Sequence, residues 1–127
     1  MLPFLKSRAR VLLLDDDPSM QRLVSKLLRD EGYRVDVFLT GRDALRAIDA
    51  NNYNVLLLDL MMPHEGGVAV IRELRATKPE LLKRALVLTA SPQSIMGAVK
   101  SEVAGVVQKP FERADLLDAV QRISKAK

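Results

Sequence analysis

Polar side chains interrupt apolar runs at four places: Asp15-Asp16-Asp17 after Val11-Leu12-Leu13-Leu14, Asp59 after Val55-Leu56-Leu57-Leu58, Thr89 after Ala85-Leu86-Val87-Leu88, and Lys109 after Gly105-Val106-Val107-Gln108. If these sites converge, Asp15, Asp16 and Asp59 crowd three carboxylates together. Such a group repels itself and resists ionisation unless a cation compensates it. An oxygen-only donor set suits Mg²⁺, which accepts a few carboxylates and keeps several waters.

Convergence requires particular elements. Short continuous apolar runs suit strands buried on both faces, and each of these runs places its polar residue at the strand's C-terminal end. Between them the periodicity turns helical. Pro18 sits in a first helical turn, and Met20, Leu23, Val24, Leu27 and Leu28 recur until Gly32. From Tyr33 the period is two, predicting a second strand with Val35, Val37 and Leu39 on one face. Thr40 with Asp43 resembles a capping box, opening a helix that buries Ala44, Leu45, Ala47 and Ile48. Further helices are expected from Val68, Ile71 and Leu74, around Ile95 to Lys100, and from Leu116, Leu117, Val120 and Ile123. Five strands alternating with five helices predict parallel pairing through right-handed crossovers, hence an α/β three-layer sandwich. In a doubly wound sheet of order 2-1-3-4-5 the strands bearing the polar residues are contiguous. Strands one and three then flank the switch point where ligands bind.

The chain's 127 residues are enough for one domain and too few for a second core. The expected organisation is a basic N-terminal tail over residues 1–9, the domain over 10–124 and a C-terminal tail over 125–127. With no cysteine there is neither a disulfide framework nor a thiolate site, which favours a reducing, cytoplasmic location. Met1-Leu2-Pro3-Phe4-Leu5 is too short for a signal peptide, and no apolar run could span a bilayer. The net charge of +4 would fit nucleic acid only if it formed a face. Lys6, Arg8, Arg10, Arg122, Lys125 and Lys127 lie near the ends, leaving fourteen basic against sixteen acidic residues between, a net of −2. These six are read as solvated tails, with no direct nucleic-acid or membrane contact expected.

Together, Leu13-Leu14-Asp15-Asp16-Asp17-Pro18, Leu57-Leu58-Asp59-Leu60-Met61-Met62-Pro63, Leu88-Thr89-Ala90 and Gln108-Lys109-Pro110-Phe111 resemble the receiver domain of response regulators, the phosphoacceptors of two-component signalling. The resemblance covers almost the whole chain and implies a flavodoxin-like fold. By it, Asp59 is the phosphoacceptor and Asp16 a direct Mg²⁺ ligand. Asp15 assists directly or through water, and the backbone carbonyl of Met61 completes the protein's share; Mn²⁺ is a conceivable substitute. Thr89 and Lys109 would neutralise phosphoryl oxygens, Ala90 would leave the approach open, and Lys109-Pro110 would be cis. The implied donor is a histidine kinase or phosphotransfer protein. Output through a partner protein is expected, with no enzymatic turnover beyond self-phosphorylation and self-dephosphorylation.

Some residues depart from the pattern. Receivers often carry Tyr or Phe three residues before the lysine, where this chain has Val106, a side chain without the same rotameric excursion. The interval from Thr89 to Lys109 is shorter than usual, which predicts a truncated or irregular fourth helix within Pro92 to Val103. Gly66-Gly67 replaces the more frequent Asp-Gly, a change expected to affect loop flexibility more than chemistry. Plainer readings exist as well: Asp17 as a helix cap, His64 as an exposed loop residue, Met61 and Met62 as packing. Two rival functions follow: a receiver-like binding module that works without phosphorylation, and a haloacid-dehalogenase-like phosphatase using Asp15.

Overall fold

In a computed structural model that describes residues 9–60, 62, 66–90 and 98–125, five parallel strands form one sheet in the order 2-1-3-4-5. The strands are β1 (Arg10–Leu14), β2 (Arg34–Phe38), β3 (Val55–Asp59), β4 (Ala85–Thr89) and β5 (Gly105–Gln108). The helices are α1 (Pro18–Asp30), α2 (Gly41–Ala50), α3 (Gly67–Thr77), α4 (Ala98–Glu102) and α5 (Arg113–Lys125), with a 3-10 turn at Pro79–Arg84 before β4. In register, Leu14 lies beside Leu58, and Asp59 beside Leu88. Thr89 pairs with Gln108. The residues that follow β1, β3, β4 and β5 therefore leave the sheet at one end.

The unbroken apolar runs have a packing reason. Because strand side chains alternate between faces, Val11 and Leu13 point to one side of the sheet and Leu12 and Leu14 to the other, and all four are fully buried. The first side meets Val24 and Leu28 of α1 and Leu116, Ala119, Val120 and Ile123 of α5. The second meets Ala44 and Ile48 of α2 and Val70, Ile71 and Leu74 of α3. A truncation such as Leu57→Ala would cost about 2–5 kcal/mol by opening a cavity in this sandwich.

The local signals act as their chemistry requires. Asp17 caps α1, its carboxylate accepting from Ser19 N–H at 2.9 Å ahead of Pro18. Gly32, at φ 93°, closes the same helix, with Tyr33 N–H donating to the Leu28 carbonyl and Gly32 N–H to that of Arg29. Thr40 caps α2 by accepting from Asp43 N–H at 3.1 Å.

Several expectations are corrected. Leu39 lies beyond the end of β2 and is 57% exposed, because the chain turns toward α2 at Thr40 before Leu39 can reach the sheet face. Leu23 and Val68 are likewise about half exposed, and Val70 takes the core position on α3. Arg10 is no tail residue: it opens β1 and pairs with Asp36 at 2.8 Å. Helix α5 continues through Lys125, one residue past the expected boundary. Residues 1–8, on which the proposed basic tail falls, lie outside the described residues.

The reduced interval predicted a truncated or irregular fourth helix within Pro92 to Val103, and the structure describes only its last part. That part has five residues, held to α3 by a two-pronged Arg75–Glu102 contact with N–O distances of 2.8 to 3.1 Å. The first part of that expected helix, residues 91–97, is not among the described residues.

Candidate phosphoacceptor site

At the C-terminal end of the sheet the separate polar residues become one cluster. Asp15, Asp16 and Asp59 each offer a carboxylate oxygen, all within 4.8 Å of one another, and no other acidic or histidine group among the described residues forms such a set. Asp15 and Asp59 are buried, while Asp16 is exposed. Lys109 Nζ stands 3.3 Å from Asp59 Oδ2 and 3.6 Å from Asp15 Oδ2. Thr89 is fully buried at the end of β4, and its carbonyl accepts from Lys109 N–H at 2.8 Å, which ties the two strand ends together. The Lys109-Pro110 peptide is cis. Ala90 is exposed beside Thr89.

The electrostatics follow from burial. Asp15 is pushed above the ordinary carboxylate value of 3.8, first by desolvation and further by the neighbouring Asp59; Asp17 N–H and Lys109 act in the opposite direction. Crowding, which the sequence made prominent, is thus the lesser cause. Oδ1 of Asp15 accepts from Asp17 N–H at 2.9 Å, whereas Oδ2 is buried with no hydrogen-bond partner among the described residues. A buried acceptor left open is costly, and here it faces the other carboxylates. A hard divalent cation satisfies that atom and the excess negative charge together, so the donor set fits Mg²⁺.

Met61, whose carbonyl was expected to join the ligands, lies outside the described residues, as does His64. Met62 is half-buried against the core, in line with a packing role. Val106 sits in β5 opposite Val87, half-buried against the same core.

One site feature was misjudged in the sequence. Gly66 and Gly67 are not spacers in a flexible loop: Gly66 caps α3, Gly67 begins it, and both are buried. A Cβ on Gly67 would stand 2.7 Å from the Asp59 carbonyl oxygen, a backbone atom with little room to yield. Only glycine lets α3 start directly against the strand end that carries Asp59. The Gly66-Gly67 pair itself was the available signal, since a glycine at a helix start can mark close backbone approach as well as flexibility.

The comparisons with known proteins establish the family and the fold. The family model for the response regulator receiver domain matches residues 11–121, and the chain belongs to that family. It is 32% identical over 126 residues to the transcriptional regulatory protein TcrA of Mycobacterium tuberculosis, covering 94% of this chain and 47% of TcrA. The chain spans about half the length of the curated relatives it matches. Among solved structures, the receiver domain of the sensor histidine kinase PA1611 from Pseudomonas aeruginosa, with magnesium in its active-site cleft, superposes with a TM-score of 0.83 at 28% identity, covering 94% of this chain and 100% of that one. TrrA of Thermotoga maritima, bound to Mg²⁺ and BeF, gives a TM-score of 0.80 at 30% identity over 91% of this chain and 98% of its own. TrrA is also known in complex with the histidine kinase ThkA.

Receiver domains are signalling phosphoacceptors of two-component systems, so the haloacid-dehalogenase reading, with Asp15 as nucleophile, is set aside. Among the described residues no helix is long and apolar enough to cross a membrane.

Proposed function

We propose that Asp59 accepts the phosphoryl group, that Asp15, Asp16 and Asp59 with the backbone carbonyl of Met61 hold Mg²⁺, and that Thr89, Ala90 and Lys109 complete the pocket. The observation that carries this reading is the meeting of Asp59 Oδ2, the open Asp15 Oδ2 and Lys109 Nζ at the end of the sheet. A carboxylate oxygen of Asp59 forms a bond to phosphorus while the bond from phosphorus to a donor imidazole nitrogen breaks. The electron pair of that bond leaves with the imidazole, and Asp59 becomes an acyl phosphate. Bound Mg²⁺, with Mn²⁺ as a substitute, supplies charge neutralisation to the phosphoryl oxygens.

The chain's own groups do the rest. Lys109, its side chain only 17% exposed, exchanges part of its pairing with Asp59 for a phosphoryl oxygen. Thr89 donates its hydroxyl to a second oxygen, and the small Ala90 leaves the approach open. Hydrolysis later transfers the phosphoryl group to water and restores the Asp59 carboxylate, which is the extent of the chain's own chemistry. The donor is a sensor histidine kinase or phosphotransfer protein, the location cytoplasmic, and the output passes through a partner protein. We assign the signalling unit to residues 10–125, from the start of β1 to the end of α5. Because Val106 replaces the usual aromatic, the message from Thr89 travels by a route other than a large ring rotation.

Intact-mass spectrometry after incubation with Mg²⁺ and acetyl phosphate tests the site. The wild type gains one phosphoryl group and Asp59→Asn gains none. A wild type that stays unmodified would favour a receiver-like module that binds partners without phosphorylation.

A further inference from the structure

The polar groups of Asp15 can be accounted for one by one. Its N–H donates to the Phe38 carbonyl at the end of β2, 3.2 Å away. Its Oδ1 accepts from Asp17 N–H. Its carbonyl accepts from the side-chain amide of Gln21, and Oδ2 alone lacks a hydrogen bond, with only the Lys109 ammonium 3.6 Å away. Gln21 belongs to the early part of α1, where its own N–H donates to the Asp17 carbonyl at 2.9 Å. Its side chain therefore reaches back from a rigid helix to the peptide that joins Asp15 to Asp16.

We infer that Gln21 is a positioning residue for the cation site: its amide locks the Asp15–Asp16 peptide and so sets the direction in which both carboxylates leave the turn. The inference rests on the reading of Asp15, Asp16 and Asp59 as cation ligands. The physical reason lies in the peptide plane. A change of ψ at Asp15 would turn that plane and Asp16 beyond it relative to the Asp15 side chain, so holding the plane fixes how the two carboxylates face each other, and Phe38 restrains only the preceding plane. Groups that orient metal ligands without touching the metal are worth about 10- to 100-fold in metal affinity when removed. Gln21 is also neutral, so its effect on the site can be separated from charge.

The decisive variant is Gln21→Met, which keeps length, charge and helix propensity and removes only the donor. Mn²⁺ binding to the full chain is followed by electron paramagnetic resonance, and the Mg²⁺ dependence of phosphorylation by acetyl phosphate is measured alongside. Unfolding midpoints in EDTA, with Gln21→Ala as a second variant, report on the fold. The expected result is about tenfold weaker Mn²⁺ binding. The Mg²⁺ concentration for half-maximal phosphorylation should rise by a similar factor, with the rate at saturating Mg²⁺ close to wild type. A lowered unfolding midpoint with unchanged Mn²⁺ affinity would make Gln21 merely a structural contact and overturn the inference. A wild type that binds no Mn²⁺ would instead overturn the reading of the carboxylates beneath it.

Discussion

Asp15 and Asp36 lie beside neighbouring strands of the same sheet and are held in opposite ways. Asp36, on β2, accepts from Tyr53 O–H at 2.6 Å and from Arg10 at 2.8 Å, while the Arg10 guanidinium lies 5.0 Å from the Tyr53 ring centre. The Tyr53 hydrogen bond, with Arg10, holds Asp36 below the ordinary carboxylate value. In turn, burial and the Asp36 carboxylate push Tyr53 up to about 12. Asp15, just past β1, keeps one oxygen open and is raised by desolvation. The difference matches the roles proposed above: Asp36 has its partners built in, whereas Asp15, proposed to hold the cation, is buried with one oxygen that lacks a hydrogen bond and has only the Lys109 ammonium nearby.

That contrast can be broken by experiment, and the largest effect is expected from the cation. Mg²⁺ at about 100 times its Kd should raise the free energy of unfolding by about 2.7 kcal/mol, because it binds the folded chain and not the unfolded one. Urea denaturation with and without Mg²⁺ reads this directly, and Asp15→Asn should abolish most of the gain. A Mg²⁺ effect that survives in the variant would mean that the open oxygen is not the binding feature.

The next largest effect belongs to the paired aspartate. Asp36→Ala should cost about 1–2 kcal/mol of stability at neutral pH by leaving the Tyr53 hydroxyl and Arg10 without their partner. The sign of its pH dependence follows from the lowered pKa. The stabilisation is present above the ordinary value of 3.8 and is lost as the pH falls through the folded-state value. The variant should therefore lose less stability on acidification than the wild type. Parallel acid unfolding curves would show that Asp36 is not held as its contacts require.

The smallest effect should carry the opposite sign. In EDTA, Asp15→Asn should leave stability unchanged or raise it by up to about 1 kcal/mol, since a buried carboxylate that resists ionisation is replaced by a neutral amide. A clear loss would place Asp15 beside Asp36 as a stabilising group.

Much of this molecule was legible in its sequence because the relevant signals are local. Runs such as Val11-Leu12-Leu13-Leu14 cannot remain in water and are too short to be helices of use, so alternation with helical stripes already implied a covered parallel sheet. Within that sheet, an aspartate, a threonine or a lysine at the end of an apolar run can only emerge at one edge. Asp17 and Thr40 cap helices as their types demand. Less legible were residues such as Leu23, Leu39 and Val68, whose burial depends on where a helix or strand stops relative to its neighbours, a matter of a single residue.

The chain by itself determined the strand order's ingredients and the meeting of Asp15, Asp16, Asp59 and Lys109 at one end of the sheet, because periodicity and residue type are properties of adjacent positions. Only the tertiary structure decided that Asp15 Oδ2 is the oxygen left open, that Gln21 grips the peptide behind it, that Gly67 lies against the Asp59 carbonyl, and that Arg10, Asp36 and Tyr53 form a closed network. Those are contacts between atoms brought together by packing. Hydrogen bonds and close approaches of a few ångströms depend on how the helices settle against the sheet, which no local pattern encodes.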